Sequence, residues 1–201
     1  MGPIEGLWAS LVVVFILLGV IRGFLKELGL TTVMIVWLFG LDRLLPFLEN
    51  LVREQSQNPG SFVVRIGLSG ETMGTPLWLI FTLITLVVVF IAYQGETLAF
   101  EGSAPKGAVG VIYGVVIGAI NGYLVCGTLW WLLHHYSYPI RATGLLVPYS
   151  PESFLSPAAT LIVDQLKLLP LDLLGQGADT STSYGVLPFL VVTMILLRVV
   201  R

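Results

Sequence analysis

A chain of 201 residues in which 56% of side chains are hydrophobic and 11% charged, with a mean hydropathy of +0.91, carries less than half the ~25% charge of a soluble domain and reads as an integral membrane protein. Its formal net charge of −2 offers no basic surface for nucleic acid. One cysteine, Cys126, excludes an internal disulfide and a CxxC metal site.

Leu7 to Ile21 is almost unbroken in Leu, Val, Ile and Phe and predicts a first membrane helix. It runs into Arg22-Gly-Phe-Leu-Lys-Glu27 rather than a small-residue cleavage site, and Met1–Gly6 lacks a basic leader, so the helix is expected to be retained. Across that corner a second helix is expected from Leu28 to about Leu41 or Leu45, with Asp42, Arg43 and Pro46 at its end. The next stretch, Glu49 to Pro76, is polar and glycine-rich. Pro76 suits a first helical turn, and a third helix follows from Leu77 to Tyr93. A fourth runs from about Ala108 to His134, roughly 40 Å at 1.5 Å per residue, longer than a ~30 Å hydrocarbon core.

Along the fourth helix Gly110, Gly114, Gly118 and Gly122 stand four residues apart, and Cys126 takes the next step. Residues so spaced share a helix face. Each interior glycine weakens a helix in water by roughly 1 kcal/mol. In lipid the stripe is a groove into which another helix backbone can settle, and that backbone is expected to come from the same chain. Beyond it, Tyr136 to Tyr184 is proline-rich, and Ser156-Pro157 opens an expected amphipathic helix through Leu169 that lies on the interface. Leu187 to Val200 predicts a short fifth membrane helix with Arg198 and Arg201 near its end. The fold class is therefore all-α: a polytopic bundle of about five membrane helices and one interfacial helix. Residues 1–135 form the main bundle, 136–185 an extracytoplasmic loop and 186–201 the last helix. Arg22 and Lys26, Lys106, and Arg198 with Arg201 lie in short connections. Arg53, Arg65, Arg141 and Lys167 are diluted among acidic residues in long loops. The positive-inside rule then predicts the N-terminus outside and the C-terminus in the cytoplasm.

The corner Ile21-Arg22-Gly23-Phe24-Leu25-Lys26-Glu27 between two apolar runs resembles the signature of the colicin V production protein family, small polytopic proteins of the bacterial inner membrane. The resemblance extends over about Ile4 to His134 and takes in the glycines spaced by four, with Glu5 as an acidic residue ahead of the first helix. Where that family commonly has a basic residue before the last such glycine, this chain has Asn121. The resemblance implies four membrane helices, a bacterial inner-membrane location and a role linked to envelope function or secretion; the fifth helix stands as an addition.

Asn121 sits mid-helix, where an amide needs a partner, and helix-to-helix hydrogen bonding is the expected role. Arg22, Lys26 and Glu27 are expected to anchor the corner at the headgroups and set topology, and Cys126 to pack as a small residue. His134 and His135, beside Trp130, Trp131 and Tyr136, are expected at the interface. They are also candidate ligands for haem iron or a pigment magnesium, since neutral imidazole ligates metals; adjacent positions point about 100° apart, so both would not hold one ion. No nucleophile–base pair, phosphate loop or metal-ligand cluster stands out, so no catalytic activity is expected. With no ionisable residue placed at the centre of a span, a transporter is disfavoured.

The expected function is a non-catalytic accessory or scaffold subunit within a larger membrane complex, possible settings being photosynthetic or respiratory. Its expected partners are the bilayer, other membrane subunits and an extracytoplasmic electron-carrier domain, with no cofactor required. The alternatives are an envelope protein assisting solute or peptide export, and a pigment- or haem-binding subunit using His134 or His135.

Overall fold

The computed structural model describes residues 4–56, 74–94, 105, 107–139, 168–175 and 186–199. These form six helices and, among the described residues, no strand: α1 Ile4–Arg22, α2 Phe24–Ser56, α3 Gly74–Gln94, α4 Gly107–His135, the short α5 Pro170–Leu174 and α6 Val186–Val199. Three are long and apolar enough to cross a membrane, over Phe24–Gln55, Pro76–Gln94 and Gly107–His135. The apolar parts of α1 and α6 are shorter. The interfacial helix expected over Ser156–Leu169 falls almost wholly outside the described residues.

Helix α2 differs from its expected end. It continues through Pro46 to Ser56. An interior proline removes one backbone donor and crowds the carbonyl four residues back, a cost of about 3 kcal/mol, but the residues beyond it, Leu48 to Gln55, are mostly good helix formers.

The chain reverses between α1 and α2 at one residue. Gly23 has φ +84° and donates its N–H to the Gly19 carbonyl at 3.0 Å, the left-handed cap that ends helices on glycine. A Cβ at Gly23 would meet nothing within 4 Å, so its requirement is conformational alone. Gly23→Ala is expected to cost about 1–2 kcal/mol, the left-handed penalty of an L-residue. Thermal unfolding in detergent measures it, and a loss well beyond this would mean the corner carries packing as well.

Helix α4 is the axis of the bundle. α1 lies antiparallel along it: Gly19 meets Gly114 and Gly118, Val12 meets Gly122, and Trp8 stands edge-on to Trp130 with ring centroids 6.0 Å apart. α2 lies parallel to α4, from Glu27 beside Asn121 to Glu49 beside His135. α3 runs antiparallel to α2, with the Trp37 indole donating to Thr85 Oγ1 at 3.0 Å. Leu30, Met34, Leu38 and Leu41 of α2 are fully buried with Leu132 of α4 and Leu187 of α6, because α2 alone is covered by α3, α4 and α6 together. α5 tucks against the face of α4 that carries Tyr123, Gly127 and Trp131. The Tyr123 hydroxyl donates to the Leu168 carbonyl, and the Trp131 indole donates to Asp172 Oδ1 at 2.9 Å.

Candidate functional site

The glycine stripe divides into parts with different neighbours. A Cβ on Gly114 would lie 2.7 Å from the Gly19 carbonyl oxygen, and one on Gly118 2.5 Å from that of Phe15. At Gly122 it would come within 3.0 Å of Val12 Cα. These three glycines therefore hold backbone against backbone, and the backbone belongs to α1. Gly19 supplies the other half of the contact, its own Cβ position lying 2.2 Å from the Gly114 oxygen. Gly110 faces the Pro105 carbonyl just ahead of its own helix. Cys126 lies outside this groove, in the wall of a cavity between α1, α3 and α4. Gly127, a position the spacing did not mark, is where Pro170 closes on α4, 2.6 Å from a would-be Cβ.

Beside the groove lies a cluster of polar side chains. Glu27, in the first turn of α2, is completely buried. Arg22, in the last turn of α1, brings Nη1 to 2.9 Å from Glu27 Oε1 and donates through Nη2 to the Tyr93 carbonyl at 3.1 Å. Its guanidinium carbon stands 4.3 Å from the centroid of the Tyr93 ring. Helix electrostatics favour both members, an acid at a helix N-terminus and a base at a C-terminus, and the one-residue corner brings the two termini together.

Asn121 completes the cluster. Its Nδ2 donates to Glu27 Oε2 at 2.8 Å and to the Glu27 carbonyl at 3.0 Å, while Thr31 Oγ1 donates to its Oδ1 at 2.7 Å. This assignment leaves both amide hydrogens facing acceptors and the oxygen facing a hydroxyl, as the network requires. The Tyr93 hydroxyl reaches Glu27 Oε2 at 3.4 Å. Four helices thus converge on one carboxylate. Lys26 is exposed at the corner, whereas Arg22 and Glu27 turn inward, which corrects the headgroup-anchor reading for those two. Thr31 and Tyr93 escaped the sequence reading. Thr31 was accessible in principle, since it follows Glu27 by four residues and shares its face; Tyr93 resembled an ordinary belt residue.

At the opposite end, His135 Nε2 lies 2.9 Å from Glu49 Oε1, and the ring stacks on Trp131 at 4.7 Å with planes 14° apart. His134 is exposed and meets Tyr138 edge-on at 5.8 Å. A ligand role for His135 through Nε2 would have to displace Glu49. Among the described residues no group of three or more His, Cys, Asp or Glu could hold a metal ion. His135→Phe keeps the stack and removes the contact with Glu49. Its expected cost is at most about 1 kcal/mol, as for partly exposed pairs, read as a small shift in unfolding temperature. A large shift would mean that the Glu49 contact organises this end of the bundle.

Comparison with protein-family models, with curated proteins and with solved structures finds no match.

Proposed function

We propose that this chain is a non-catalytic scaffold of the bacterial inner membrane, multi-pass, with its N-terminus outside and its C-terminus cytoplasmic, that packs within a larger membrane assembly. The observation that carries this reading is the closure of the polar cluster. Glu27, Asn121 and Thr31 are buried and spend their hydrogen bonds on Arg22, Tyr93 and one another. A transport path needs ionisable or polar groups facing water or cargo; here they face their own helices and fix helix register instead.

The placement of α6 supports the assembly part of the proposal. It packs on α2, with Thr32 Oγ1 donating to Met194 Sδ at 3.7 Å. Phe189, Val192, Ile195 and Leu196 point outward and are more than half exposed. A 14-residue helix is only about 21 Å long, short for the bilayer core, and a neighbouring subunit would complete its surroundings. The corner's resemblance to the colicin V production family bears on the same proposal. A basic residue in place of Asn121 would confront Glu27 directly; in this chain Arg22 supplies the charge and Asn121 two neutral donors.

Purification in mild detergent, followed by native gels and mass spectrometry of co-purifying chains, tests the proposal. Other membrane subunits in fixed ratio are expected. A monodisperse chain with no companion in several mild detergents would rule out the assembly.

A further inference from the structure

Helix α2 has 33 residues, about 50 Å of helix against a ~30 Å hydrocarbon core. Its part before Pro46, Phe24 to Leu45, is about 33 Å long and spans the core by itself. Two contacts show where the remainder goes. Glu27 and Asn121 are 94 residues apart in the chain, Glu49 and His135 86, so between these contacts α2 advances eight residues more than the parallel α4. That excess is about 12 Å. Side chains on both helices lean toward their own N-termini, so their reach does not absorb it, and inclining the helices would part them at one end. A bend in α2 does absorb it. Pro46 is the residue that makes one, its ring crowding the Asp42 carbonyl. Past the bend α2 stays against the bundle, for Val52 and Tyr136 both pack on the main core.

Around this last stretch the side chains fall into three sectors. Leu45, Glu49 and Val52 face the bundle: Leu45 is buried, Glu49 and Val52 half-buried. About 110° to one side, at 100° per residue, stand Leu44, Phe47, Leu48 and Leu51. They have the i, i+3, i+4, i+7 spacing of one apolar stripe, and each is at least 37% exposed; Gln55 ends the stripe. About 130° to the other side stand Asn50, Arg53 and Glu54, exposed as well. A helix still crossing hydrocarbon would be apolar on both outward flanks, and one standing clear in water would be polar on both. Apolar on one flank and polar on the other is the pattern of a helix with membrane on one side and water on the other. Its level agrees. Trp131 and Tyr136, stacked on and edge-on to His135, belong to the aromatic belt at which hydrocarbon gives way to headgroups.

We propose that α2 crosses the bilayer only as far as Pro46, and that Phe47–Gln55 lies in the plane of the interface with Phe47, Leu48 and Leu51 among the acyl chains of one leaflet. Asn50 and Glu54 then face water. The partner of this segment is the lipid surface itself, entered to a depth of about 5–10 Å. The Glu49–His135 contact ties the segment to α4, so its seat in the leaflet fixes how deeply the whole bundle sits. The placement holds on either side of the membrane, with or without companion subunits.

The test uses the full chain carrying Cys126→Ser, spin-labelled at Phe47→Cys, Leu51→Cys, Asn50→Cys or Glu54→Cys and reconstituted in nanodiscs of dioleoyl phosphatidylcholine. Collisions with oxygen, which concentrates in hydrocarbon, and with a water-soluble nickel chelate report the depth of each label. All four side chains are exposed, so labelling removes little packing; should Phe47→Cys fail to fold, Leu48→Cys takes its place. Leu79→Cys and Leu83→Cys, exposed on α3 and also four residues apart, give the signature of a crossing helix, two depths about 6 Å apart. Labels at 47 and 51 are expected to collide with oxygen and to lie at one depth, and labels at 50 and 54 to collide with nickel. A step of about 6 Å between 47 and 51 would mean that α2 continues along the membrane normal. Nickel collisions on both flanks would mean that it projects into water, and labels at 47 and 51 shielded from both reagents that another protein chain covers the stripe. Each of these three results would overturn the proposal.

Discussion

Gly118→Leu is expected to detach α1 from α4. The Cβ position lies 2.5 Å from the Phe15 carbonyl oxygen and 2.8 Å from Ile16 Cα, so the obstruction is main chain and no rotamer relieves it. Ordinary overpacking costs about 1–3 kcal/mol because side chains give way; here a helix must move, and the loss should exceed that range. The contact removed is the most extensive helix pairing in the bundle. Membrane insertion should survive, since the apolar length of each helix is unchanged, while unfolding temperature and protease resistance in detergent collapse. Gly40→Ala is the control, because a Cβ there meets nothing within 4 Å. A Gly118→Leu shift smaller than about 3 °C, near 1 kcal/mol at this chain length, would refute the packing described.

Arg22→Met should be the second most damaging change, and more so than Glu27→Gln. Removing one partner of a buried ion pair costs about 3–5 kcal/mol, chiefly through the charge left behind. The two partners are not equivalent. Arg22 keeps 23% of its side-chain surface exposed whereas Glu27 has none, so an abandoned arginine can extend toward the headgroups and an abandoned glutamate cannot leave. Glu27→Gln also retains an oxygen for Asn121. The double variant Arg22→Met with Glu27→Gln is expected to recover most of the loss, since neither charge remains. A double-mutant cycle on unfolding in detergent reads this out directly; additivity of the two single changes would show that the pair does not act as a unit.

The spacing of Gly114, Gly118 and Gly122 made the groove legible, because a step of four is a geometric statement about one helix face. Its occupant was not legible to the same degree. Gly19 is a lone glycine in a run of Leu, Val and Ile, and a single small residue has no period to betray it. Glu27 illustrates a different limit. Its neighbours Arg22 and Lys26 place it at a corner, but whether a corner residue turns to the headgroups or to the bundle depends on what stands opposite, and Asn121 lies far along the chain. Pro46 misled in the usual direction: a proline predicts a helix end from local sterics, and the residues on either side were strong enough to carry α2 past it. Cys126 shows that a further step of four need not continue the same contact, for 3.6 residues per turn rotates the stripe away from α1 and onto the cavity.

The order in which the chain is made gives the ion pair another meaning. Arg22 and Glu27 are five residues apart, whereas Glu27 and Asn121 are separated by 94. At about 5–20 residues per second, α2 enters the bilayer roughly 5–20 s before its amide partner is synthesised, and the groove that receives α1 is equally late. Throughout that interval the carboxylate of Glu27 would stand in hydrocarbon with nothing to meet it but the arginine just across Gly23. The corner would thus neutralise early the one acid that is fully buried among the described residues, and α4, on arrival, would close over a pair already made.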